Sequence, residues 1–98
     1  MLHMVIATHS PDMCPMVNQQ VKEKSMPVLQ NIEEIARSAG VTILGSWVNP
    51  PAHKIYFVVD APNAHVVNKM MVDSHQMEWN NVEVSPIVTL KETLVMIR

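Results

Sequence analysis

The stretch THSPDMCPM, residues 8–16, gathers a histidine, the chain's only cysteine, an aspartate and two methionines into one short turn. Imidazole nitrogen and thiolate sulfur are donors that suit borderline-soft transition metals, whereas magnesium and calcium take oxygen. Two more imidazoles belong with them by the topology developed below: His53, which follows a double proline, and His75, shortly before Trp79. His9, Cys14, His53 and His75 together suit copper, zinc or iron. Copper is the first choice, because two imidazoles, one thiolate and a weak axial thioether make an electron-transfer centre, and Met13 or Met16 offers the thioether. A thiolate close to a helix N-terminus, where this reading puts Cys14, is stabilised by backbone donors and serves as ligand or nucleophile.

Each of these residues also has a plain structural reading. A single cysteine makes no internal disulfide and is commonly a small buried hydrophobe. His53 ends a strand beside two prolines, and His75 complements the C-terminal dipole of its helix. Asp12 reads as a helix cap rather than a catalytic group. Cysteine–histidine nucleophilic catalysis would further need an oxyanion hole, which the sequence does not locate. No GxGxxG, P-loop, GxSxG, HExxH or CxxC is present.

The elements that must position the donors follow from hydropathy patterning. Residues 2–8, LHMVIAT, are an apolar strand ending at a Ser-Pro turn. Val28, Leu29, Ile32, Ile35, Ala36 and Ala39 recur at helical spacing, and Gly40 follows as a C′ residue. Pro27 predicts a kink there, with Ser25 capping the second piece. Residues 41–48 and 54–60 read as a hairpin about NPPAH. Asn63 caps a second helix, striped by Val66, Val67, Met70 and Met71 and reaching to about His75 or Met77. A last strand, 82–90, carries Pro86 and so belongs at a sheet edge. The tail KETLVMIR is helical or lies on a partner subunit.

This order is βαββαβ, the ferredoxin-like α+β plan of an antiparallel sheet with two helices on one face. The first two strands to appear run one way and the last two the other. The loop carrying His9 and Cys14, the hairpin carrying His53 and the helix exit carrying His75 and Trp79 therefore share one end of the sheet. His3 and His65 fall at the opposite end. Val5 and Ala7, with Tyr56 and Val58, leave an apolar face that a second copy of the sheet would cover.

The order of elements, the strand GSWV, the segment KIYFVVDAP and the ending WNNVEVSPIVTL resemble the dimeric α/β-barrel superfamily, particularly its small uncharacterised families. The resemblance implies a homodimer with facing sheets. It implies no single activity, since such relatives include heme-degrading and quinone-forming monooxygenases, muconolactone isomerases and stress-induced proteins.

Composition narrows the classes. The 98 residues, 48% apolar with two glycines, suit one domain, 1–98, small enough that oligomerisation would help to cover an apolar face. Seven basic against nine acidic residues give a net charge of −2 without like-charge runs, which argues against nucleic acid. No apolar run approaches the roughly 20 residues of a membrane span, and the first residues lack a secretion-signal pattern, so a cytoplasmic protein is expected. The reading is thus a homodimeric transition-metal protein, redox or electron-transferring. Its alternative is a cofactor-independent monooxygenase or isomerase with His53 as general base on a small organic substrate. A third reading is an interaction protein with no site.

Overall fold

A computed structural model describes residues 1–97. The elements are β1 (Leu2–Thr8), α1 (Gln19–Gln30), α2 (Ile32–Ser38), β2 (Thr42–Asn49), β3 (Lys54–Asp60), α3 (Ala64–Asp73), β4 (Asn81–Ile87) and α4 (Leu90–Met96). Three 3₁₀ turns, Pro11–Met13, Pro50–Ala52 and Gln76–Glu78, lie between them. The four strands form one antiparallel sheet in the order β2-β3-β1-β4. This is the ferredoxin-like α+β fold, with α4 added after the last strand. Pro86 sits on an edge strand, where its missing donor is tolerated. No helix among the described residues is long and apolar enough to cross a membrane.

The register decides which side chains reach the core. Val5 stands opposite Phe57 and Val84, and Ile6 opposite Tyr56 and Glu83. Alternation then sends Val5, Ala7, Ile55, Phe57 and Val59 toward the helices, where they are buried with Ile32, Ala36, Val67, Met70 and Met71. This corrects the expectation that Val5 and Ala7 share a face with Tyr56 and Val58. The open face instead carries Met4, Ile6, Tyr56 and Val58, all half-buried. Both alternate sets of β1 are apolar, so its hydropathy alone does not say which set faces inward.

β2 carries a bulge between Ile43 and Gly45, and Leu44 is left 58% exposed. Beyond it Trp47 folds its indole over Gly45, in the space that a Cβ there would occupy.

Two helix boundaries differ from the sequence reading. α1 runs through Pro27 and the chain leaves helical dihedrals only at Asn31 (φ −114°, ψ 17°). Pro27 deprives the Glu23 carbonyl of its donor, but Glu23 is exposed and water can take the bond. Ser25 is consequently not a cap but a buried interior residue of α1. α3 ends at Asp73, and the 76–78 segment is a separate turn. β4 starts at Asn81 and stops at Ile87, because Thr89 caps α4 by accepting from Glu92 N at 3.1 Å. The Met1 ammonium ties the sheet's other end to Asp60 at 2.8 Å, and that hydrogen bond holds the Asp60 carboxyl below its ordinary range.

Gly40 closes α2 as expected, with φ +88°. Val41 N donates to Ala36 O at 2.9 Å and Gly40 N to Arg37 O at 3.0 Å, the paired bonds of a Schellman motif. A Cβ at Gly40 would touch Val66 at an ordinary 3.6 Å, so an L residue there meets backbone strain rather than a clash. Gly40→Ala is therefore expected to lower stability by about 1 kcal/mol in urea unfolding, with an unchanged m-value.

Candidate metal centre

His9 and His53 meet because the β1–β3 ladder continues one step past its last pair, Thr8 with Lys54. His9 N donates to His53 O at 3.1 Å, and the two rings stand edge to face with centroids 5.3 Å apart. The hairpin that presents His53 is built by its own residues. Asn49 Oδ1 accepts from Ala52 N at 3.3 Å, Pro50 and Pro51 fix φ, and His53 turns the chain into β3 with a left-handed φ of 55°. A non-glycine residue held there is a local strain of the sort that collects at working sites.

The ring of His9 is oriented from behind. Asn80, 8% exposed, gives its Nδ2 hydrogens to the carbonyl and Oε1 of Gln76, at 3.2 and 3.3 Å. Because a backbone carbonyl only accepts, Nδ2 must face Gln76 and Oδ1 must face His9. His9 Nδ1 then donates to Asn80 Oδ1 at 3.1 Å, so the neutral ring keeps its lone pair on Nε2. Nε2 of His9 and Nδ1 of His53 are both buried and have no hydrogen-bond partner among the described residues. Trp79 covers another side of His9, with ring centroids 5.1 Å apart.

Cys14 returns to this pair through the 3₁₀ turn Pro11–Met13, which Met13 N to Ser10 O and Cys14 N to Pro11 O close at 3.0 and 3.3 Å. That turn is why the prolines, the aspartate and the cysteine are collected at this place. His9, Cys14 and His53 each bring a donor atom within 4.8 Å of the others. Donors around a tetrahedral zinc at about 2.0–2.3 Å stand roughly 3.3–3.8 Å apart, so small side-chain rotations would close the set. The group opens on a cavity of about 160 Å³ whose walls, including Leu29, Val48, Ile55 and Trp79, are almost wholly apolar.

The structure brings three of the four predicted ligands together and leaves His75 apart. His75, at a left-handed φ of 59° just after α3, pairs through Nδ1 with Glu78, and both side chains are more than 60% exposed. Met16 lines the donor cavity, whereas Met13 lines a different one. The cap of α1 is Asn18, whose Oδ1 accepts from Val21 N at 3.0 Å, and not Asp12. Cys14 thus lies four residues before the Asn18 cap, whose N–H donates to the Cys14 carbonyl at 2.8 Å, and its thiol is within 4.8 Å of ring nitrogens of His9 and His53. His65 is exposed on α3, and His3 is buried in β1, neither of them in this group. Asn80 and Gln76 were not foreseen as site residues, since an amide that orients a histidine has no local sequence signature.

An antiparallel four-stranded sheet covered by helices on one face, with a loop-built cluster at one end, defines a protein of the ferredoxin-like α+β fold. The chain belongs to the family described as a domain of unknown function, DUF3303, whose profile matches residues 1–98. No curated protein matches it. Among solved structures it is similar to SCO4226 from Streptomyces coelicolor A3(2), at 13% identity and a TM-score of 0.52, covering 89% of this chain and 99% of that one. It is also similar to a structure titled antibiotic biosynthesis monooxygenase, at 12% identity and a TM-score of 0.49, covering 91% and 100%. At such identities the likeness is one of fold.

The amide behind His9 gives a direct expectation. In long-range ¹H–¹⁵N spectra the metal-free protein should show His9 as the Nδ1–H tautomer. Asn80→Ala should mix the tautomers and cost about 1–3 kcal/mol in denaturant unfolding, because it strips partners from buried polar groups.

Proposed function

We propose that His9, Cys14 and His53 bind one transition-metal ion, and that the fourth position faces the apolar cavity. The carrying observation is that donor atoms of His9, Cys14 and His53 converge in a group where His9 Nε2 and His53 Nδ1 are buried without partners among the described residues, with one imidazole already held in the ligand tautomer by Asn80. Buried polar atoms ordinarily find a partner, and a cation that takes both nitrogens and the thiolate would satisfy them at once. Copper is the ion we favour over zinc or iron. Two imidazoles and a thiolate with Met16 as a weak axial ligand would form an electron-transfer centre, and Met16 lines the same cavity. With Met16 absent from the coordination sphere, the open position would instead admit a small ligand. A cytoplasmic, reducing setting would keep Cys14 a free thiol.

Untagged protein is expected to carry one metal per subunit by mass spectrometry. Adding Cu(II) should give intense thiolate-to-copper absorption, absent in Cys14→Ser, unchanged in His75→Ala and formed with about 10–100-fold weaker affinity in Asn80→Ala. Protein that binds no transition metal and stays colourless would overturn this reading.

A second reading rests on the walls of the same cavity. An apolar chamber lined by His53, whose Nδ1 has no partner among the described residues, suits a small aromatic or lactone substrate, with His53 taking its proton in a cofactor-independent monooxygenase or isomerase. Turnover by the metal-stripped protein would favour it.

We further propose that the protein is a homodimer with facing sheets. Met4, Ile6, Tyr56 and Val58 are only half-buried in one subunit, Leu44 and Trp47 are each 58% exposed, and α4 displays Leu90, Leu94 and Val95. Light scattering should give a mass near 22 kDa, twice the 11.0 kDa of one chain. Trp47→Glu, which sets two carboxylates in the interface, should yield monomers.

A further inference from the structure

A second cavity, of about 220 Å³, lies between α1 and the segment 75–79. Among the described residues, Trp79 alone lines both this cavity and the donor cavity. Its apolar walls are Trp79, Val21 and Met13. Ser25 also lines it, 5% exposed, and its Oγ has no partner among the described residues. A serine inside a helix ordinarily turns its hydroxyl back to the carbonyl one turn earlier, and alanine is the better helix former. This hydroxyl does neither the local bonding nor the packing that would explain a serine here, and a buried hydroxyl left unpaired weighs against the fold.

At the rim stands Lys24, exposed and without an ion pair among the described residues. The nearby carboxylate, Glu78, is engaged by His75. The cavity thus offers a free cation at its mouth, a flat aromatic wall and, in a residue of its lining, a buried unpaired hydroxyl. Its volume exceeds the roughly 150 Å³ that holds a benzene ring in a protein interior.

We propose that this cavity binds a small aromatic carboxylic acid bearing a hydroxyl. The ring lies against Trp79 and Val21, the carboxylate pairs with Lys24, and the hydroxyl meets Ser25 Oγ once that buried side chain turns about χ1 into the cavity. The proposal does not rest on the metal reading, and it is tested on metal-free protein.

Trp47→Phe leaves Trp79 as the sole tryptophan, and its fluorescence reports binding of 4-hydroxybenzoate, benzoate and phenol. Saturation-transfer NMR on the unmodified chain reports the same without the substitution. The expected order of affinity is 4-hydroxybenzoate, then benzoate, then phenol. Ser25→Ala should weaken 4-hydroxybenzoate about tenfold and leave benzoate unchanged, as the loss of one buried hydrogen bond would. Lys24→Gln should remove the preference for the acids over phenol. No saturable signal from any of the three compounds, or equal binding in both variants and the parent, would overturn the proposal. Failure of the metal assay leaves these outcomes untouched.

Discussion

The backbone bond from His9 N to His53 O is the constraint on which the rest of the site depends. It exists because β1 and β3 pair without a break from Leu2 with Asp60 to Thr8 with Lys54, and the ladder then runs one residue further. A slip of one residue would carry His9 to the opposite face of the sheet and expose Val5 and Ala7 in exchange. The core therefore holds the register, and the register holds the imidazoles. Nothing in the loops alone would do so, since His9 and His53 are 44 positions apart in a chain of 98.

Around that bond the donors are fixed in different ways. His53 is held by backbone geometry, His9 by the side-chain amide of Asn80, and Cys14 by a compact turn. The amide of Asn80 reaches His9 from an element 71 residues later, so α3 and the turn after it stiffen a ring that belongs to β1. Trp79, next to Asn80, packs on the same ring and walls a second cavity. Any movement of the 76–80 segment is thus felt at both.

Much of this was readable before any coordinates. Strand directions followed from element order, and they alone place His9, Cys14 and His53 at one end and His3 and His65 elsewhere. The same reasoning put His75 at that end, and topology was right about the end but silent about direction. A residue in left-handed backbone just past a helix points its ring where the turn dictates, and Glu78 three positions on captures it. The face assignment of Val5 and Ala7 failed for a comparable reason, since Leu2, Met4 and Ile6 offer an equally apolar alternate set. Pro27 gave a false boundary because a single lost hydrogen bond on an exposed turn does not stop a helix whose other side is packed. The roles of Asn80, Gln76 and Ser25 depend on long-range neighbours that periodicity does not encode.

Pro86 has a consequence for how copies of this chain can meet. β2 and β4 are the two free rims of the sheet, and each is spoiled as a template: β4 lacks an N–H at residue 86, and β2 is bent by its bulge at Leu44. Sideways growth of the sheet into a fibre is therefore disfavoured at both borders. Growth in the plane of the sheet is thereby closed off, and the apolar side chains of its open face, Met4, Ile6, Tyr56 and Val58, can be covered only by something that lies across them.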